Sequence, residues 1–519
     1  MRSLIVLAGL LISIIIFQTA SSGPDKIYEP ELSPSNILTP APDPAPRING
    51  PLVYGCRPGN PFIYRIPCQG TRPFQFSINN LPGGLYLDPE TGIITGLTPA
   101  KGEYNLTIEA RNARGKDRRH FTIISGDKLA LTPPMGYNHW YAHYNRITDV
   151  MMREAADIMI RSGMADVGYQ YVNIDDCWMN APEYDDETRK GPLRDMQGNI
   201  LTNSHFPDMK GLTDYIHERG LKAGIYTSPG PLTCGRFSGS YQHEQQDARQ
   251  FADWGFDFLK YDWCSYGSIA SKENPGQKNY PVEVYKKPYI LMGEILKQQK
   301  RDIVYNLCQY GMGEVWKWGG EVGAHCWRTA GDLGFELDKI FDVALKNSEH
   351  REYSMPGEWN DPDYIQIGWI GVAKDMGVPK QIEMPESMQY AYMSLWSLMA
   401  APLIYSGDMT SLDKFTLNIL CNPEVIEVNQ DQLGISAEVI KRDAEHFIMV
   451  KDLYDGSVAV GLFNRSASPS QVSVGFDELR IKGKKPVRDL WRQTNIGRYK
   501  DQFTAMVPEQ GVVMVKIGK

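Results

Sequence analysis

The feature that most constrains this chain is a strand-length apolar run that stops on a carboxylate. Phe256-Asp257-Phe258-Leu259-Lys260-Tyr261 ends at Asp262. The pattern recurs: Tyr169-Gln170-Tyr171-Val172-Asn173-Ile174 runs into Asp175-Asp176, Trp327-Arg328-Thr329-Ala330-Gly331 into Asp332, and Trp359-Asn360 into Asp361-Pro362-Asp363. In a parallel β/α barrel the C-terminal strand ends form the active-site mouth, so an acid placed there is a candidate catalyst. Several carboxylates facing one cavity suit acid/base or nucleophilic chemistry on a polyhydroxylated substrate.

Between about 130 and 428, strand and helix patterns alternate. Eight strand candidates are read: Pro134 to Trp140, Tyr169 to Asp176, Ala223 to Thr227, Phe256 to Asp262, Ile303 to Leu307, Trp327 to Asp332, Glu358 to Asp363 and Pro402 to Ser406. One intervening helix starts at a Thr148/Asp149 cap, carries Met152, Ala155, Ile158 and Met159 on one face, and stops at Gly163. Another runs from Met209 to Glu218 with Gly220 after its end. Eight such units predict an α/β fold, a (β/α)8 TIM barrel over 128–428.

The flanks differ. Residues 1–22 read as a secretory signal: Arg2, an apolar stretch from Leu4 to Phe17, then small residues from Ala20 to Gly23. The run is short for a membrane span, so the expectation is a secreted or periplasmic protein with no stable membrane insertion after the signal is removed. Residues 23–46 are Pro-rich and predict an extended, semi-rigid spacer. Short alternating runs separated by turn clusters at 47–127 predict a small Ig-like β-sandwich, and 429–519 a C-terminal antiparallel β-sandwich. The N-terminal module shows no aromatic platform, so a packing role is preferred to sugar binding. Two glycosylation sequons occur, at Asn105 and Asn464.

A net charge of −8 with no basic run argues against nucleic acid as a partner. The 28 Tyr and 11 Trp suit a carbohydrate partner, since such rings stack on sugar faces and carry polar handles. Eight cysteines permit a few bridges but form no Cys-x-x-Cys or Cys/His pattern, so no zinc site is read. No metal or other cofactor is expected, with an all-oxygen Ca²⁺ site as the alternative. Nothing in the sequence specifies an oligomeric state.

The ordered motifs Met135-Gly136-Tyr137-Asn138-His139-Trp140, Ile174-Asp175-Asp176-Cys177-Trp178, Lys260-Tyr261-Asp262-Trp263-Cys264, Trp327 to Asp332 and Trp359 to Asp363 resemble glycoside hydrolase family 27, the α-galactosidase and α-N-acetylgalactosaminidase family. The run Leu81-Pro82-Gly83-Gly84 through Thr91-Gly92-Ile93-Ile94-Thr95-Gly96 resembles cadherin-like Ig modules of bacterial secreted proteins. The first resemblance implies a retaining double displacement with Asp262 as nucleophile and Asp332 as general acid/base. Lys260, two residues before Asp262 on the same strand face, would favour the ionised carboxylate. Arg328 would hold a hydroxyl or a carboxylate of the site.

The same resemblance implies that Asp175 and Asp176 grip distal sugar hydroxyls, with a structural role for Asp176 equally open. Trp140 would wall the sugar, Tyr226 would line the pocket or belong to the core, and Asp363 would touch sugar while Asp361 orders its loop. Cys234 and Cys264 would form a disulfide beside the nucleophile. Cys177 lacks its usual partner and is expected to be free. Leu307-Cys308-Gln309-Tyr310-Gly311 resembles a Cys-Glu-Trp-Gly segment that meets the sugar 2-position, which brings Cys308 and Tyr310 into the substrate-binding set. Ser228 stands where an acid is usual. His139 and His143 are read as pocket wall or surface. The leading expectation is an exo-α-galactosidase, with α-N-acetylgalactosaminidase, β-L-arabinopyranosidase and a non-catalytic sugar-binding barrel as alternatives.

Overall fold

The computed structural model describes residues 27–31, 36–277, 279–334, 339–371 and 378–518. The expected signal segment lies outside them.

The centre is a single ring of parallel strands: β1 (Met135–Asn138), β2 (Tyr171–Asn173), β3 (Lys222–Thr227), β4 (Phe258–Asp262), β5 (Val304–Cys308), β6 (Cys326–Arg328), β7 (Trp359–Asp361) and β8 (Leu403–Tyr405). Each strand from β1 to β6 pairs in parallel with the next, and β1 also pairs with β8. A parallel bridge from Ile365, just past β7, to Tyr405 in β8 closes the ring. The chain forms these strands because their residues are buried almost throughout, the signature of a sheet covered on both faces.

Helices α1 (Asp149–Arg161), α2 (Met209–His217), α3 (Glu244–Trp254), α4 (Val282–Gln298), α5 (Lys339–Ser348) and α6 (Glu386–Leu398) pack outside the strands. The expected cap of α1 is present, with the Thr148 side chain accepting from the Met151 amide. Asp208 caps α2 in the same way, and Gly220 turns the chain after it at φ 71°.

One strand departs from expectation. β6 ends at Arg328, so Asp332 stands four residues beyond it in a loop. Thr329-Ala330-Gly331 read as strand continuation, but Arg328 bonds the carbonyls of Ala330 and Gly331 and folds the backbone into a turn.

The N-terminal module is a sandwich of a four-stranded and a three-stranded sheet around Phe62, Tyr64, Phe76, Ile94, Leu106 and Phe121. It is joined to the base of the barrel. Asp302, just before β5, accepts from the Arg57 amide and guanidinium at 3.0 Å each and from Asn60 at 2.6 Å. Tyr54 meets the buried Lys222 at the start of β3. The C-terminal domain pairs a six-stranded antiparallel sheet with a three-stranded one over Ile448, Val460, Phe476, Phe503 and Val515. The sequon residue Asn464 is buried there, its amide donating to the Ser468 and Pro508 carbonyls, whereas Asn105 is exposed.

The Pro-rich segment, expected as an extended, semi-rigid spacer, is fastened down along its length. Ile27 and Tyr28 pair in parallel with Thr504 and Ala505 of the C-terminal domain, and the Tyr28 hydroxyl donates to Asp489 at 2.8 Å. Thr39 bonds Asn418 through both its amide and its hydroxyl. The Pro44 carbonyl accepts from Asn112 of the Ig-like module. Proline leaves carbonyls free to accept, so an extended Pro-rich chain can still be fastened down along its length.

Candidate active site

The acid-bearing ends of the strands converge at one end of the ring. Asp262 closes β4, its α-carbon in register with Cys308 of β5. Its side chain is buried and both oxygens are held. Oδ2 accepts the Tyr226 hydroxyl at 2.9 Å, and Oδ1 accepts the Tyr310 hydroxyl at 2.6 Å and the Trp263 amide at 2.7 Å. Burial raises the proton affinity of this carboxyl, and Lys260 and the three donors oppose the rise, leaving it above the ordinary carboxylate value.

Cys234 and Cys264 form a disulfide with α-carbons 4.8 Å apart, as expected. Cys264 Sγ lies 3.2 Å from the Tyr226 hydroxyl, so the bridge packs directly behind one of the donors to Asp262. The sulfurs and Asp262 lie close enough to suggest metal ligands, but sulfurs tied in a disulfide are not thiolates. Ser228 fastens the same loop by donating to the Leu232 carbonyl. Cys177, Cys308 and Cys326 are free and buried. So are Cys56 and Cys68 of the N-terminal module.

Lys260 makes its contact elsewhere than at Asp262. Its Nζ lies 2.7 Å from Asp175 Oδ2, over the rings of Tyr226 and Tyr364 at 5.3 and 5.1 Å. Burial lowers the lysine's proton affinity, but Asp175 and the neighbouring acidic groups more than reverse this, so it stays charged. Burial likewise raises the Asp175 carboxyl, and the Lys260 charge pulls it below the usual value. Asn138 donates to the same Asp175 oxygen at 2.8 Å. Asp176 is fully engaged in structure: one oxygen accepts the Cys177 amide and the other the Gly235 amide, both at 2.7 Å. Burial pushes it up to about 7 despite these bonds.

Asp332 is the open carboxylate, with 57% of its side chain exposed. Arg328 Nη1 lies 3.3 Å from it, while Nη2 contacts Asp363 Oδ2 at 3.1 Å. Arg328 Nη1 also lies 3.8 Å from the Cys308 sulfur. Asp363 was expected against sugar, but it is wholly buried and its oxygens are spent. Oδ2 accepts Tyr141 and the Leu333 amide at 2.7 Å each as well as Arg328, and Oδ1 accepts the Tyr364 amide. Trp140 is half-buried, edge-on to Tyr144 at 4.9 Å.

The two histidines are buried rather than exposed. His139 Nδ1 accepts the Asp175 amide at 3.0 Å, and burial drives the ring down to about 3, so it is neutral. His143 is buried beside Asp408 and is pushed down to about 4 by burial. Asn138, Tyr141 and Tyr364 belong to the site and were missed. Asn138 was visible at the end of the first strand motif, and Tyr364 directly follows Asp363. Tyr141 carried no signal of its own.

A β/α barrel with a held carboxylate, an open one and a ring of sugar-compatible hydroxyls and aromatics defines a glycoside hydrolase of the barrel type. Residues 132–431 match the family described as Alpha galactosidase A, residues 443–517 its C-terminal β-sandwich domain, and residues 45–126 an Ig-domain family. Alpha-galactosidase 2 of Arabidopsis thaliana is 36% identical over 391 residues, covering 74% of this chain and 89% of that one. A Bacteroides fragilis structure presented as a candidate α-galactosidase/melibiase superimposes with a TM-score of 0.83 at 36% identity, over 93% of this chain and 99% of that one. α-Galactosidase I of Mortierella vinacea gives 0.65 at 28% identity, over 76% and 98%. The chain belongs to glycoside hydrolase family 27, the α-galactosidase family.

Proposed function

We propose that this enzyme releases terminal α-linked D-galactose from oligo- or polysaccharides with retention of configuration. The observation that carries the reading is the contrast between the two carboxylates. Asp262 is sequestered with both oxygens gripped by donors that favour its ionised form, as a nucleophile at an anomeric carbon requires. Asp332 stands in the open, where it can protonate the leaving oxygen and then take a proton from the incoming water.

In the first step, Asp262 attacks the anomeric carbon as Asp332 protonates the departing glycosidic oxygen. In the second, water attacks the glycosyl-enzyme ester, gives its proton to Asp332 and frees the Asp262 carboxylate. The Asp175–Lys260 pair presents a negative and a positive group, suited to accept from and donate to sugar hydroxyls, with Trp140 as apolar wall. Arg328, held by Asp363, fixes the loop that carries Asp332.

The disulfide supports export to an oxidising compartment, outside the cell or in the periplasm. N-terminal sequencing of the mature protein tests this, and an uncleaved Met1 start in a cytosolic fraction would overturn it.

The function is tested with para-nitrophenyl α-D-galactoside, α-N-acetyl-D-galactosaminide and β-L-arabinopyranoside, using Asp262→Ala as control. Proton NMR of the first-formed sugar anomer reads the stereochemistry. Asp262-dependent release of α-galactose is expected. Preference for either other glycoside moves the substrate within the family, and initial β-galactose would refute retention.

A further inference from the structure

The hydroxyl of Tyr310 has no counterpart in the tryptophan of the segment that this loop resembles, and it is used. β5 delivers Cys308 opposite Asp262, and the chain then turns sharply. Gln309 is buried, and Tyr310 takes φ 64°, a left-handed conformation that a non-glycine side chain disfavours. Gly311 follows at φ 82°, and a Cβ there would stand 2.4 Å from the Thr329 carbonyl. The turn therefore packs at Gly311 against the start of the loop that carries Asp332. Its outcome is the 2.6 Å bond from the Tyr310 hydroxyl to Asp262 Oδ1.

Two tyrosines thus hold the two oxygens of one carboxylate, from opposite sides of β4. Tyr226 comes from β3 and is sealed behind the disulfide; Tyr310 comes from beyond β5 and is only half-buried. We propose that Tyr310 is a positioning residue for the nucleophile: its hydroxyl fixes the rotation of the Asp262 carboxylate and stabilises its charged form, before attack and again as the glycosyl ester breaks. This rests on the reading of Asp262 as the nucleophile. A hydrogen bond to the charged form of an acid favours ionisation, so its removal makes the acid harder to ionise.

The test is the pH profile of kcat/KM on an aryl α-galactoside for wild type, Tyr310→Phe and Tyr310→Trp, with thermal melting of each. Both variants should shift the acid limb to higher pH by about one unit and lower kcat about tenfold. The variants should melt close to wild type. A folded Tyr310→Phe whose acid limb overlies that of wild type overturns the proposal, because a merely structural side chain would change melting and leave the limb in place. If wild type cleaves no aryl glycoside, the hydrolase reading fails by itself. The Asp262 titration is then read by ¹³C-carboxyl NMR in wild type and Tyr310→Phe, with Asp262→Asn for assignment. A raised midpoint supports the positioning bond and an unmoved one refutes it.

Discussion

The Asp363 carboxylate accepts the Leu333 amide at 2.7 Å, and Leu333 is the residue immediately after Asp332. The same oxygen binds Arg328, four residues before Asp332, so one buried acid clamps both flanks of the open one. Asp363 itself adopts φ 106°, strained for a non-glycine residue. Removing it leaves the buried Arg328 charge short of its main partner. Asp363→Ala is expected to lose about 3–5 kcal/mol of stability, read by urea unfolding, and to lower kcat on substrates that need acid assistance. Unchanged stability would mean that Asp332 and solvent suffice for Arg328.

The two catalytic carboxylates should separate by leaving group. Asp262→Ala is expected to abolish turnover on every glycoside. Asp332→Ala should lose about 10²–10⁴-fold on alkyl or sugar leaving groups and far less in the first step on activated aryl galactosides. Steady-state rates across a leaving-group series check this, and equal losses throughout would remove Asp332 from the acid role.

His139 predicts an acid sensitivity. The folded protein holds this ring neutral down to about pH 3, whereas an unfolded chain protonates it near 6.5. Between these values the unfolded state binds more protons, so stability is full above pH 6.5 and falls by about 1 kcal/mol per unit as pH is lowered. His139→Asn keeps an acceptor for the Asp175 amide but cannot take the proton. Its unfolding free energy should decline less than that of wild type between about pH 6 and pH 4, measured by denaturant titration. Parallel curves would exclude the ring as a source of the loss.

The disulfide closes a sequence separation of 30 residues, and such a crosslink stabilises by about 2–4 kcal/mol. Cys234→Ser with Cys264→Ser should therefore melt lower. It should also be less active well below its melting temperature, because the support behind the Tyr226 hydroxyl is gone. Full activity in the folded double variant would restrict the bridge to stability.

The barrel was legible because both-face burial writes apolar runs, and acids such as Asp262 stand out at their ends. Asp175 and the Cys234–Cys264 pair were legible through motif resemblance. What could not be read was local saturation. Asp363 and Asp175 look alike in sequence, but Asp363 has both oxygens engaged by Arg328, Tyr141, Leu333 and Tyr364, a result of backbone turns that no residue type announces. Lys260 could be placed on the right strand face, yet its choice of Asp175 depends on the distance across the ring. The Pro-rich strap was misread because its pairing partner, Gln502–Val507, lies at the far end of the chain, beyond the reach of local pattern.

That strap has a mechanical consequence. With Ile27 laid beside Thr504, almost the whole polypeptide becomes a loop closed by one short clip. Force applied at either end, or an exopeptidase working inward, meets this clip before it reaches any strand of the barrel.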